Sequence, residues 1–557
     1  MAKYNSLNDV PENVKRKLSN YFSNVGGNTF VIRNLPPELT GGVLARYSRA
    51  ATGIQLTLVN EFLDEQGNPC QEKGSELMNR VLNAFGDDSV GELEGAHVGI
   101  ENISQLGTKW IEDRRIGASP IEQSTRYVKY DSKNERGEWR YLRPKEIIEA
   151  GLKEKFEQVN DHAFEVYSES VKRLIPYFEK QFPKEQFSID VERDGETVKA
   201  GLSALQTDNE QKAFRTAYNF TIRCAALDVG RCTLPSSTLT QLGLIGNGRY
   251  YTNLLNFLKS SNLKEAQERG RELEKELNTQ IPTFIKRNER TEKVSAIDTA
   301  MYALANELFS KIKPNAEPVN LVPRADLLDE IVSSALFSYT NLSLNQILSI
   351  VQKLSYDKKR EINQMYKGKR TTRRDRTGRG LEAGYPFTFD LVGGFAEYRD
   401  LERHRMTTQQ RQLLTTELGF ILPPEMTDKQ VNMEREILEV VSRMDDLNSD
   451  IKHAGLTNAA QYATLFNHRM RFMMGMNLRE LQHLLELRTQ PAGHFSYRAM
   501  CMEMANQVKE RDSWTEDFIE FVNYSDPGNK IARAKEQSKI AGKNVSAGID
   551  SSLDLED

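Results

Sequence analysis

"NGRYYTNLLNFL" at residues 247–258 and "NLRELQHLLELR" at 477–488 share Asn-x-Arg followed by a leucine-rich helical pattern. A second pair precedes them in the same order: "EDRRIGASPIEQSTRY" (112–127) before the first, and "LERHRMTTQQRQLLTT" (401–416) before the second. Two matches in one order favour an internal duplication over a chance likeness between helices. From Arg114 to Asn247 is 133 residues and from Arg403 to Asn477 only 74, so copy 1 carries roughly sixty extra residues.

Outward from this repeat, the reading is helix-rich. Residues 146–182 and 325–354 place apolar side chains at helical spacing, the second with a break. "NTFVIRNL" (28–35) and "YPFTFDLV" (385–392) have strand character. The expected organisation is copy 1 over 1–290, with a helical insertion at about 135–215, then a Pro-rich linker over 291–320 around "KPNAEPVNLVPR". Copy 2 follows over 321–525, and the polar, acidic segment 526–557 is expected to be a disordered tail.

Composition narrows the class. The 557 residues carry a formal net charge of −4, with no global basic signature for coating nucleic acid. The charged N-terminal stretch lacks the apolar core of a signal peptide, and no run approaches the ~18 apolar residues of a membrane span. Cys70, Cys224, Cys232 and Cys501 form no CxxC pair, which argues against a disulfide framework or structural zinc and fits a cytoplasmic protein. No metal-ligand motif, Walker A loop or strand-borne GxGxxG occurs.

In 114–127, Ser119, Ser124, Arg126 and Tyr127 are spaced to present hydroxyls and a guanidinium to one anion, or else form a solvated turn. Arg403, His404 and Arg405 set two fixed charges around a titratable ring, as a phosphate-bearing cofactor or a solvated helix face would both allow. On the 477–488 helix, Asn477 and Arg488 fall about 20° apart, with Leu481 and Leu484 along the same stripe. That suits a pocket gripping a planar ligand, or a core helix with snorkelling arginines. The basic run 367–380 reads as a solvated loop or a contact for nucleic acid or phosphate.

Together these residues resemble the flavin-dependent thymidylate synthases (ThyX), whose signature is RHRxxSxxxxSxRY. Copy 2 keeps Arg403, His404 and Arg405 with Thr408 for the first Ser; Leu413 and Thr415-Thr416 replace its second half. Copy 1 keeps Ser119, Ser124, Arg126 and Tyr127, with Arg115 and Ile116 where the family has His and Arg. The family's N-x-R…H/N…L-R helix matches Asn477, Arg479, His483 and Arg488, and in copy 1 Asn247, Arg249 and Asn253, with Leu258 for the essential arginine. "GRCTLPSST" resembles the A-R-x-x-L-P segment, giving Arg231, with Gln461 at the corresponding place. The Glu-His pair survives as Glu94-Gly95 and Glu382-Ala383.

The resemblance implies an α+β fold: two tandem ThyX-like domains, each a mixed or antiparallel sheet flanked by long helices. It implies FAD as cofactor, NADPH and methylenetetrahydrofolate as co-substrates, and reductive methylation of dUMP or a related pyrimidine nucleotide to dTMP. Arg403, His404, Arg405, Asn477, Arg479 and His483 would hold FAD. Ser119, Glu122, Ser124, Arg126, Arg231 and Arg488 would hold the nucleotide, with Arg488 as the catalytic cation. Because the copies keep complementary halves of one motif, one composite site per chain is expected, in a homodimer arranged as a pseudo-tetramer of four domains. The other reading is a decayed relative that binds nucleotide or RNA without redox chemistry.

Overall fold

The computed structural model describes residues 4–47, 50–79, 91–114, 116–193, 195–285, 292–369 and 377–549. They form two compact units: residues 1–103, 107–122 and 240–295, and residues 104–106, 123–239 and 296–557.

The two copies follow one element order. Copy 1 runs through β1 (Gly95–Ser104), α1 (Gln105–Glu112) and β2 (Ala118–Glu122). It then departs into α2 (Lys153–Gln181) and the hairpin β3 (Ser188–Arg193) and β4 (Glu196–Gly201). The pattern resumes with α3 (Asp208–Gly230), β5 (Leu239–Asn247) and α4 (Gly248–Ser260). After α5 (Glu292–Phe309) and the short β6 (Val319–Leu321), copy 2 repeats it as β7 (Phe387–Gly394), α6 (Phe395–Leu401) and β8 (Thr408–Arg411). The copy closes with α7 (Glu434–His453), β9 (Arg469–Met476) and α8 (Leu478–Arg488). Two further helices follow, α9 (Phe495–Arg511) and α10 (Ala534–Ser546).

In each copy the third strand lies between the first two, in the orders β1-β5-β2 and β6-β7-β9-β8. The expected α+β duplication is therefore visible in strand order as well as in motif. The repeated asparagines have a local cause: Asn247 and Asn477 are N-caps, their side chains accepting from the backbone N–H of Tyr250 and Glu480. Strand-to-helix junctions thus recur at equivalent places because each needs the same cap.

Four expectations change. Residues 291–320 are not an irregular linker: α5 supplies Met301, Leu304, Ala305 and Phe309 to the core of the second unit, and β6 pairs antiparallel with β7. The insertion at 135–215 contains the β3–β4 hairpin as well as helices. "NTFVIRNL" makes only a single bridge, Phe22↔Ile32, and not a strand. In the segment 526–557, expected to be disordered, residues 534–546 are helical, and α10 packs on α3 and β3 so closely that Gly542 admits no side chain beside Asp190. Half of the basic run 367–380, residues 370–376, lies outside the described residues.

The central strand β9 is buried along nearly its whole length, which suits its methionines but not Arg471. Arg471, 1 % exposed, donates from Nη1 to both oxygens of Asp390 on β7 at 2.9 and 2.8 Å, and from Nη2 to the Asn315 carbonyl. Asp390 also accepts the Leu344 N–H at 2.8 Å, which seats the helix Leu344–Val351 against the sheet. Arg471→Met leaves a buried carboxylate unpaired and is expected to lower the unfolding free energy by about 3–5 kcal/mol in urea titration. Adding Asp390→Leu is expected to recover most of that loss, and an Arg471→Met variant as stable as wild type would contradict the assignment.

A candidate active site shared by the two copies

Ser124 to Val128 form a tight turn, in which the Ser124 carbonyl accepts from Tyr127 and Val128 N–H and its Oγ accepts from Arg126 N–H at 3.3 Å. The turn aims Arg126 at Asp228 near the C-terminal end of α3. Arg126 Nε lies 2.8 and 3.0 Å from the two Asp228 oxygens, and Nη2 lies 2.7 Å from Oδ2. Arg231, one turn beyond Asp228 and 3 % exposed, approaches the same carboxylate at 3.6 Å. Burial alone would raise the Asp228 pKa, but Arg126 and Arg231 outweigh it and hold the carboxyl below its usual range.

Copy 2 meets this group through α6. The buried Thr125 hydroxyl accepts from Arg231 Nη1 at 3.1 Å and from Arg399 Nη1 at 3.2 Å, so one oxygen joins an arginine from each copy. Asp400 binds Arg403 Nη2 at 2.8 Å and acts through space on Arg126, Arg231 and Arg488. Arg231 Nε is buried with no hydrogen-bond partner among the described residues. Such an orphan donor, in a group rich in arginine, is a place for an acceptor.

A second chain of contacts fixes Arg488. Its Nε donates to His404 Nε2 at 2.8 Å, and His404 Nδ1 lies 2.8 Å from Glu480 Oε1. With Nε2 accepting, the proton sits on Nδ1 and points at the carboxylate, so the neutral ring serves as a spacer. Burial, the largest influence, lowers the His404 pKa, against the opposing pull of Glu480. Arg488 also lies over the Tyr497 ring at 5.6 Å, and the exposed His483 ring lies 5.5 Å from His404.

The structure brings Arg126, Arg231, Arg403, His404, Arg488 and His483 into one neighbourhood. Ser124 shapes its turn rather than facing outward alone. Glu122 is engaged elsewhere, in the first unit, by Lys109 at 3.3 Å and Thr108 at 3.1 Å. Ser119 is an exposed residue of β2, Asn477 is an N-cap, and Arg405 and Arg479 are exposed. Residues missed in the sequence are Thr125, Asp228, Arg399, Asp400, Glu480, His494 and Tyr497. Glu480 had a signal, as the third residue after the Asn477 cap; so had Asp228, three before Arg231.

The corresponding places in the other copy are neutral. Tyr250 and Leu258 stand where Glu480 and Arg488 stand, and Leu258 is fully buried. Gln461 stands where Arg231 stands, accepting Leu414 N–H and donating to the Asn458 carbonyl.

Fold, strand order and these residues define a duplicated ThyX-like protein. The thymidylate synthase complementing protein family matches residues 42–283 and 335–512, and the chain belongs to that family. It is similar to a UPF0159 protein of Chlamydia muridarum, 34% identical over 95% of this chain and 98% of that protein. A UPF0159 protein of Thermoplasma acidophilum is 28% identical over 91% of this chain and 99% of its own length. A solved Helicobacter pylori flavin-dependent thymidylate synthase ThyX, complexed with FAD and dUMP, matches at 17% identity. That match covers 45% of this chain and 94% of the other, with a TM-score of 0.23.

His494 is buried against Asp228, Arg126, Arg231 and Asp400; burial first and Arg231 second push its pKa down to about 3. At His494 the native state therefore binds fewer protons than the unfolded chain below pH 6.5, and this group's contribution to stability falls as pH drops. Between pH 6.5 and 4.5 this is worth about 2–3 kcal/mol. His404 acts in the same direction; Glu397 and Glu94, both raised by burial and Glu94 to about 8, act in the opposite one. Asp228 and Asp400, both lowered, lose their contributions only below the usual carboxylate range. His494→Gln is expected to gain urea-unfolding free energy relative to wild type as pH falls across that window; a difference between the two that does not change with pH would refute the assignment.

Proposed function

We propose that this chain is a flavin-dependent thymidylate synthase-like enzyme, transferring a one-carbon unit reductively to dUMP or a related pyrimidine nucleotide at a site shared by the two copies. The observation that carries this reading is the Glu480–His404–Arg488 chain beside the Arg126–Asp228–Arg231 group. A guanidinium fixed by hydrogen bonds through a neutral histidine is what stabilisation of charge developing on a pyrimidine ring requires. FAD, reduced by NADPH, would supply the hydride that completes methylation with methylenetetrahydrofolate as the carbon donor.

The residues present fit such a flavin. Arg403 is half-exposed, and Arg405, Arg479 and His483 present polar side chains to solvent. With Asn477 and His404 they form the set assigned to the cofactor. Ser119, Glu122, Ser124, Arg126 and Arg231 are assigned to the nucleotide, although Glu122 must first leave Lys109. Glu480 and His404 are positioning residues: they hold Arg488 Nε in one direction, so that its remaining donors face the ligand. The reciprocal site, built on Tyr250 and Leu258, is inactive in this proposal. A cytoplasmic homodimer with four ThyX-like domains completes the reading.

Purified protein is expected to carry or take up FAD, visible as flavin absorbance, and to oxidise NADPH in the presence of dUMP and methylenetetrahydrofolate. Arg488→Gln should retain flavin and lose about 10²–10³ in kcat. Arg126→Gln should raise the KM for the nucleotide. Colourless protein that ignores added FAD would favour the binding-module reading and end the proposal.

A further inference from the structure

The family match ends at residue 512, yet the chain beyond it returns to the shared site. α10 is anchored on the insertion, with Ser538 Oγ donating to Asp190 at 3.2 Å, and the residues just before it line a small pocket open to solvent. That pocket is bounded by Arg126, Asp228, Cys224, Phe495, Lys530 and Arg533, together with the turn Pro491–Gly493 that follows α8.

The charges there are unevenly spent. Arg126 commits Nε and Nη2 to Asp228, so the Ser-x-Arg turn offers an approaching anion a guanidinium already largely neutralised. Lys530 rests 3.3 Å over the Phe495 ring and 3.4 Å from Glu425. Arg533 is held by neutral oxygens alone: Nη1 donates to Tyr127 Oη at 3.0 Å and Nη2 to the Ala492 carbonyl at 2.9 Å. No carboxylate pairs with it among the described residues. The lining therefore carries three cations against one carboxylate, and the unspent charge comes from the C-terminal segment.

We propose that this pocket binds a phosphate ester, the 5′-phosphate of the pyrimidine nucleotide, and that Arg533 and Lys530 are its ligands beside Arg126. A guanidinium fixed by two neutral partners keeps its full charge for a phosphate oxygen and is already oriented. The C-terminal segment is then part of the site, contributing what the pairing of Arg126 with Asp228 takes away. This inference rests on the pyrimidine reading of the shared site.

Calorimetric titration of the full chain with dUMP, deoxyuridine and inorganic phosphate tests it. Arg533→Gln is expected to weaken dUMP about tenfold or more while leaving deoxyuridine unchanged. Lys530→Gln should act in the same direction, and Arg533→Lys should restore part of the loss. Far-UV circular dichroism checks that each variant is folded, and Lys530→Gln keeps the test available if Arg533→Gln is not. If wild type binds neither pyrimidine but inorganic phosphate binds wild type and not Arg533→Gln, the pocket stands and the pyrimidine reading fails. An unchanged preference for dUMP over deoxyuridine, with unchanged phosphate binding, overturns the inference. So does a loss confined to FAD with riboflavin unaffected, which would assign the phosphate to the flavin.

Discussion

Two reciprocal backbone hydrogen bonds are among those that join the copies, and the shared site depends on them. Ser236 N–H donates to the Thr464 carbonyl at 2.8 Å and Phe466 N–H to the Leu234 carbonyl at 2.9 Å, on either side of the bridge Pro235↔Leu465. Arg231 lies four residues before Pro235 and Gln461 four before Leu465, so equivalent positions face each other and the contact is self-complementary, as across a two-fold axis. Ser236 Oγ adds a bond to the Gln461 carbonyl. Locked in this way, the segment after α3 cannot slide along its partner without breaking a ladder. Thr125 can then accept from Arg231 and Arg399 at once. A contact that two separate subunits would have to make by association is here made within one chain.

Much of this was legible because it is local. The N-cap asparagines, the leucine spacing of α4 and α8, and the order of the two motifs are properties of short windows, and they led to the duplicated α+β fold. What escaped is set by distance along the chain. Arg126 and Asp228 are 102 residues apart and Arg399 and Thr125 are 274 apart, and no periodicity connects them. Polarity also misled: α5 follows a charged stretch yet packs Met301 and Phe309 into the core, and α10 looks soluble because only a narrow stripe, including Ala541 and Gly542, is buried. Glu122 shows the same limit, since its place in the motif suggests a ligand contact and nothing in its window announces the pairing of its carboxylate with Lys109.

The arrangement of donors also limits what each arginine can do. Arg488 spends Nε on His404, Arg231 spends Nη1 on Thr125, and Arg126 spends both Nε and Nη2 on Asp228. Fixing a guanidinium through one edge removes its rotational freedom without removing its charge, which is pre-organisation at small cost. Pairing through a bidentate carboxylate removes the charge as well. The first kind of arginine suits recognition; the second suits holding two segments together. On that division Arg126 is as much a structural tie between its turn and α3 as an anion ligand.

Duplication supplies an internal control on why the ionic group persists. A buried ion pair is often no more stabilising than apolar residues of the same shape, because the desolvation of both charges offsets their attraction. If stability alone governed these positions, both copies should drift toward neutral side chains. One member of each pair has done so: Tyr250 and Leu258 against Glu480 and Arg488, Asn458 and Gln461 against Asp228 and Arg231. Leu258 is buried with 1 % exposure and Gln461 is satisfied by backbone partners, so the neutral versions pack without difficulty. The charged versions are retained on opposite copies, yet gathered into one neighbourhood by the Pro235–Leu465 bridge. Packing gives no reason for charge to survive there and nowhere else in the pair. Under the proposed function, a ligand that needs those charges gives one.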